Sequence, residues 1–394
     1  VRKISAIFKK LRFQILSVLA VIFFIWAFTA SYLFQSLQIS SATLSKRFTE
    51  NQKSLNELKN QDQYKINQQQ QAEIKAVKTD YKKSIDLFDQ IMDLKAQKQD
   101  TSDLDKLYIL AVGQLADFNY SSADATLKDL ATGVNAANSK LTTNNVASLG
   151  TGSTAPATSS NTPPGSGFSR QSVQSDMGTF TVAIIAADLN STKVIVDTAS
   201  DSDCSNNCPA IPLADYVSRN SAYAGINGTY FCPPDYPECA GKINSFDTLL
   251  MNKNKHYFNS DNNKYSTVPL VYTSGSSFGV RGQSLDWGRD TGVDMVLAMQ
   301  PLLISGGNIV YGGSDIAKYN APGVRSFIAN KGSMVYIGEV FGATMEQGAH
   351  VLKTLGMDNA LNLDEGGSTA LFFNGSYISG PGRALPNAVL FLHK

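Results

Sequence analysis

Residues Phe13 to Phe34 read FQILSVLAVIFFIWAFTASYLF, and no charged side chain interrupts them. A helix rises about 1.5 Å per residue, so this run makes roughly 33 Å, enough to cross a bilayer core. Ahead of it stand Arg2, Lys3, Lys9, Lys10 and Arg12 with no acidic residue. The positive-inside rule therefore places residues 1–12 in the cytoplasm. Trp26 and Tyr32 lie toward the far side, where interfacial aromatics are common. A cleaved signal peptide shares the basic start, but this apolar run is long and no clean A-x-A site follows it. The reading is a signal anchor over residues 1–35, single-pass in the cell membrane, with the C-terminal part of the chain extracellular.

The cysteines agree with that side. Cys204, Cys208, Cys232 and Cys239 are the only four in the chain. An even, clustered count in an oxidising compartment favours two disulfides. Local pairing, 204–208 and 232–239, is the simplest of the three connectivities that four cysteines allow. Structural zinc favours C-x(2–4)-C pairs, which only the first pair satisfies. The three histidines, His256, His350 and His393, leave little material for a multi-histidine site. No metal and no cofactor are expected. The formal charge of +1 removes the simplest case for a nucleic-acid partner.

Residues 36–141 contain no proline and are rich in Gln, Lys, Asp, Leu and Ala. Leu37, Leu44, Phe48, Leu55 and Leu58, then Ile74, Val77, Tyr81, Ile85, Phe88 and Ile91, fall at helix-stripe spacings. A turn at Gln99–Ser102, with Ser102 as cap, opens a new helix, and Leu127, Leu130, Val134, Ala137 and Leu141 resume the stripe. This is a helical stalk. It is either a long helix with shorter ones folded back on it or a coiled coil between chains, which would make a homo-oligomer. Residues 142–178 change composition to Thr, Ser, Pro, Gly and Ala and read as a flexible linker.

Residues 179–394 alternate short β-like runs with Gly, Asn and Asp turns. Phe180–Ala187 and Lys193–Thr198, separated by an Asn-Ser turn, suggest a hairpin. Helices are expected near Pro212–Ser218 and over Met345–Leu355, the latter with a Thr344/Gln347 capping box and a Gly356 stop. The class is α+β: a β-rich head with few helices, preceded by a transmembrane helix and an α-helical stalk.

Four segments of the head carry chemistry. Ala224–Phe231 is a strand ending in Asn227-Gly228 before Thr229-Tyr230-Phe231. Ala321–Ala329 puts Arg325 at the mouth of a strand. Ala360–Thr369 delivers Asp364-Glu365 into the turn Gly366-Gly367-Ser368. Leu385–Val389 brings Asn387 to the start of the last strand. Alone, each fits a plain turn or a surface ion pair. Together, three strand ends offering Asn, Arg and Asp beside glycines suit a polar small-ligand site, where backbone must approach closely.

This combination resembles the phosphodiester glycosidase family. The family's motifs are an N-G-G-[YF]-F turn, a P-R-T/S strand start, an L-D-G-G-G-S turn and a closing P-N-A. Here stand Asn227-Gly228-Thr229-Tyr230-Phe231, Val324-Arg325-Ser326, Leu363-Asp364-Glu365-Gly366-Gly367-Ser368 and Pro386-Asn387-Ala388, in the family's order. The resemblance covers about residues 179–394 and says nothing of the anchor, stalk or linker. It implies hydrolysis of a sugar-1-phosphate diester or a related glycosidic bond in an envelope glycan. A carbohydrate or sugar phosphate would be the substrate. Asp364, Glu365 and Arg325 are the expected catalytic set, with Arg325 clamping phosphate and Asp364 supplying the carboxylate at the anomeric carbon. Asn227, Gly228, Tyr230, Gly366, Gly367, Ser368 and Asn387 are the expected substrate-binding set. Two positions depart from the pattern. Thr229 and Glu365 replace glycines, and Glu365 either would be strained at a positive φ or sends its carboxylate into the site. The rival reading is a non-catalytic glycan-binding or surface-assembly protein that keeps the pocket. A serine triad has no support, since the few histidines sit outside the likely turns.

Overall fold

The computed structural model describes residues 2–59, 62–96, 99–148 and 157–394. The chain divides into two compact units, residues 1–78 and 79–394. The first unit holds helix α1 (Arg2–Lys59) and the opening turns of α2 (Asp62–Ala96). Among the described residues, α1 alone is long and apolar enough to cross a membrane. Its Phe23, Phe24, Ile25, Trp26 and Phe28 side chains are exposed.

The second unit begins with a helical bundle. The end of α2, from Thr79 on, packs with α3 (Ser102–Ala116) and α4 (Tyr120–Ser148). Leu87, Ile91 and Leu94 meet Leu104, Ala111, Leu127, Leu130 and Val134 in one buried cluster. The fold-back expected from the stripe is therefore present within a single chain. The cap of α3 is Thr101, one residue before the expected Ser102; Ser102 N–H instead donates to Asp100 Oδ1 at 3.0 Å. The expected partition into stalk 36–141 and head 179–394 differs from the observed one, because these helices fold in the same unit as the sheets.

Three sheets follow, two of five strands and one of eight, so the β-rich α+β class holds. The eight-stranded sheet is centred on Gly178–Asp188, Met334–Ala343, Gly323–Lys331 and Asn359–Asn362, paired antiparallel in that order. The Gly178–Asp188 strand is apolar on consecutive residues because both its faces are covered. Ala183, Ile185 and Ala187 enter a core shared by the three sheets. Val182, Ile184 and Ala186 face the layer beneath α7 (Met345–Thr354), the helix that follows α5 (Leu213–Arg219) and α6 (Ala317–Asn320) in the chain. The Thr344/Gln347 capping box is formed, and Gly356 at φ +74° closes the helix.

Two expectations on this region change. The linker expected over 142–178 is folded at both ends: α4 runs on to Ser148, and Gly167–Ser175 is a strand paired with Gly178–Asp188, while residues 149–156 lie outside the described ones. A strand needs ladder partners more than apolar side chains, and its neighbour supplies them. The two strands on either side of the Asn-Ser turn do not form a hairpin. Gly178–Asp188 belongs to the eight-stranded sheet, whereas Thr192–Thr198 pairs with Asn387–His393 in a five-stranded one.

The site lies where the chain crosses between those same two sheets. Asn359–Asn362 belongs to the eight-stranded sheet, and Leu371–Phe373 pairs with Ala224–Asn227 in the five-stranded one. The Asp364–Thr369 turn spans the gap.

Candidate active site

Backbone bonds stitch the crossing turn to both sheets. Leu363 N–H donates to Ser326 C=O at 2.9 Å, and Asp364 N–H to Gly228 C=O at 2.9 Å. Asn227 completes the seam. Its Nδ2 donates to Asp364 C=O at 2.6 Å, and its Oδ1 accepts from Ala370 N–H at 3.1 Å. Asn387 works in parallel, accepting from Thr229 N–H at 2.9 Å and donating to the Thr229 hydroxyl at 2.8 Å. Both asparagines are fully buried, with every one of these bonds internal to the protein. They hold the strand ends together, rather than holding sugar hydroxyls as the sequence suggested. Gly228 is small for the same reason, since a Cβ there would overlap Asn387 Oδ1. Thr229, in place of the family's glycine, supplies the hydroxyl that Asn387 grips.

The turn carries two buried carboxylates. Asp364 Oδ1 accepts from Glu365 N–H at 2.9 Å. Burial pushes the Asp364 carboxyl up to about 7, against the opposing pull of Lys318, the Ser368 hydrogen bond, the Glu365 amide and Arg383. Glu365 sits at φ −147°, extended backbone open to any residue, so no strain attends its replacement of glycine. The glycine that the turn requires is Gly366, at φ +68°. Glu365 Oε1 accepts from the Tyr230 hydroxyl at 3.0 Å, and its Oε2 is ion-paired with Arg325. Burial and the Glu365 charge raise the Tyr230 phenol well above its ordinary range, so it stays a donor.

Arg325 was expected to clamp phosphate. Its guanidinium is instead committed inside the protein, to Glu365 and to the carbonyls of Ala343, Lys318 and Ala321. The cations that face the main cavity are Lys318, from α6, and Arg383, from the Pro381-Gly382-Arg383 turn. Together with Asp93 of α2 and Tyr236 of the Cys232–Cys239 loop, they enclose a cavity of about 250 Å³ that reaches Asp364 and Glu365. A smaller cavity of about 50 Å³ shares Asp93, Lys318 and Glu365 and extends to Arg325. The disulfides are Cys204–Cys208 and Cys232–Cys239, the local pairing expected.

Lys318, Arg383, Tyr236 and Asp93 were not among the residues expected from sequence. Each comes from a different segment, and none lies in a recognisable motif. On α2, Asp80, Ser84, Gln90 and Asp93 are polar residues buried beside the apolar stripe, and nothing in the sequence marks them as buried.

Residues 220–392 match the phosphodiester glycosidase family. The matched segment is a little under half of the chain. No curated protein matches the chain. Among solved structures, a hypothetical protein from Synechocystis is 14% identical, covering 58% of this chain and 62% of that one, at a TM-score of 0.40. The catalytic domain of zebrafish N-acetylglucosamine-1-phosphodiester alpha-N-acetylglucosaminidase is 15% identical, covering 61% of this chain and 87% of that one, at a TM-score of 0.45. This chain thus spans under two thirds of the Synechocystis structure. The glycosidase match takes in every family-motif segment, whereas Asp93 lies outside it.

Proposed function

We propose that this protein is a membrane-anchored extracellular glycosidase that hydrolyses a sugar-1-phosphate diester, or a related glycosidic bond, in an envelope glycan. The observation that carries this reading is the pairing of Asp364 and Glu365 on one turn with Lys318 and Arg383 across one cavity. A carboxylate beside an anomeric carbon stabilises the oxocarbenium-like transition state or activates water. A cation beside the leaving group stabilises the charge that develops on phosphate.

In this reaction the bond from the anomeric carbon to the phosphate oxygen breaks, and its electron pair leaves with the phosphomonoester. Water adds at the anomeric carbon and gives up a proton. The leaving group has a second pKa near 6, so it departs without full protonation. Asp364, ionised above about 7, takes the carboxylate role. Glu365 is the second carboxylate, positioned by Arg325 and Tyr230. Ser368 lines the same cavity beside Asp364.

The test is hydrolysis of an aryl phosphodiester of N-acetylglucosamine or glucose in ¹⁸O-water by the full chain in detergent. The expected products are reducing sugar carrying ¹⁸O and an unlabelled aryl phosphate. Label in the phosphate would make the protein a phosphodiesterase, and a folded protein that releases no sugar from either substrate would overturn the reading.

A further inference from the structure

Asp93 is a helix residue whose carboxylate is buried inside the proposed site. Its Oδ1 accepts from the Tyr236 hydroxyl at 2.7 Å, from Gly367 N–H at 3.2 Å and from Arg383 Nη1 at 3.3 Å. Its Oδ2 is 3.0 Å from Lys318 Nζ. Two oxygens sharing one negative charge thus meet two cations, a hydroxyl and a backbone amide. Burial works against that charge, but Lys318, Arg383 and the Tyr236 hydroxyl prevail and hold the carboxyl below its ordinary range.

A phosphodiester has the same electrostatic outline. Its two non-bridging oxygens share one negative charge and accept hydrogen bonds as a carboxylate does. The donors also include spare capacity. Arg383 Nη2 is buried with no hydrogen-bond partner among the described residues. Its Nε lies 3.5 Å from Asp235 Oδ2, an ion-pair distance without hydrogen-bond geometry. The Arg383 side chain is 9% exposed, so these donors are not simply solvated. Gly366 has no Cβ, and one there would overlap the Asp93 carboxylate, so the turn is shaped to let an anion approach its backbone. The same turn carries Asp364 and Glu365, so an anion at this spot lies one short segment from the two carboxylates.

We propose that Lys318, Arg383, Tyr236 and the Gly367 amide form the subsite for the substrate's phosphate, and that Asp93 is its internal occupant. The assignment of this anion to the substrate rests on the glycosidase reading. The α2 segment around Asp93 is then a displaceable plug, and a phosphodiester must compete with it for the same donors. A purely structural Asp93 would only dock the helical bundle onto the sheets, and removing it would not improve anion binding.

Dimethyl phosphate binding to the full chain in detergent, followed by calorimetry, separates these roles. Asp93→Asn keeps the side-chain shape and removes the competing charge. It should bind dimethyl phosphate at least about tenfold more tightly than wild type, the equivalent of 1.4 kcal/mol. Adding Lys318→Ala or Arg383→Ala to Asp93→Asn should abolish that gain. Equal affinity in wild type and a folded Asp93→Asn would overturn the proposal, as would a gain that survives loss of both cations. Hydrogen exchange of the unaltered chain covers the case in which Asp93→Asn does not fold. Saturating dimethyl phosphate should speed exchange at amides of residues 86–96, and slower or unchanged exchange there would overturn displacement. Dimethyl phosphate holds no sugar, so its binding can stand while the ¹⁸O experiment fails, and the reverse.

Discussion

Replacing Asp364 by Asn should remove activity and strengthen the fold in the same step. Burial lifts the Asp364 carboxyl from 3.8 to about 7. In the unfolded chain it ionises near 3.8, so between those values the folded state holds a proton that the unfolded state lacks. Stability therefore falls as pH rises across that window, by about 1.36 kcal/mol per unit of pH. The full penalty, on the order of 4 kcal/mol, is reached above about 7 and vanishes below about 4.

The substituted amide mimics the protonated acid. Its oxygen can still accept from Glu365 N–H, and its NH₂ group can donate to a rotated Ser368 hydroxyl. Asp364→Asn should thus match wild type at about pH 4 and exceed it by a few kcal/mol at about pH 8. Its kcat should fall by at least about 100-fold, the low end for loss of acid–base help. Denaturant unfolding of the full chain measures the stability part. Trp287, nearly buried in the second unit, reports it by fluorescence once Trp26 is replaced by Phe. A stability gap that stays constant from about pH 4 to 8, or a less stable Asp364→Asn at about pH 8, would refute the reasoning.

Further outcomes follow from the same contacts. The kcat/KM of the free enzyme should rise with pH through about 7 as Asp364 ionises, and a fall over that range would assign it to the acid role instead. Gly228→Ala should destabilise the head by about 1–3 kcal/mol in denaturant titration, because its Cβ overlaps Asn387 and parts the two sheet ends. Each short disulfide loop should contribute on the order of 2–3 kcal/mol. Thiol labelling of the native chain should find no free cysteine, and reduction should loosen the Cys232–Cys239 loop and with it Tyr236.

What could be read in the sequence depended on how local each signal was. The apolar run, the α7 capping box and the strand patterns are written in neighbouring residues, and they appear where expected. The four motif segments do converge, joined through Asn227, Asn387, Gly228 and the Asp364 backbone. Their side-chain roles were less legible. A buried Asn beside glycines looks the same in sequence whether it faces a ligand or a carbonyl. The Gly167–Ser175 strand was hidden because composition alone made it look like linker, and ladder pairing does not need an apolar run. Lys318, Arg383 and Asp93 were invisible because a single charged residue in a loop or helix reads as solvated surface. Only the tertiary fold brings those three segments together.

If Lys318 and Arg383 serve the phosphate as proposed, Glu365 explains why Arg325 does not. With glycine at that position, as the family motif has it, Arg325 would lack a carboxylate partner and could turn its charge to a bound anion. With Glu365 the pair is closed and buried, and Arg325 becomes a positioning residue. Glu365→Gly should therefore restore the arrangement that the motif permits. The backbone tolerates the change, since φ −147° suits glycine as well as glutamate. Arg325 is left as an unpaired buried charge, which costs about 3–5 kcal/mol. Inorganic phosphate can supply the missing anion, so millimolar phosphate should raise the Tm of Glu365→Gly well beyond its effect on wild type. Equal phosphate shifts in the two proteins would mean that Arg325 stays tied to the Ala343, Lys318 and Ala321 carbonyls, and that Glu365 does not decide which cation serves the site.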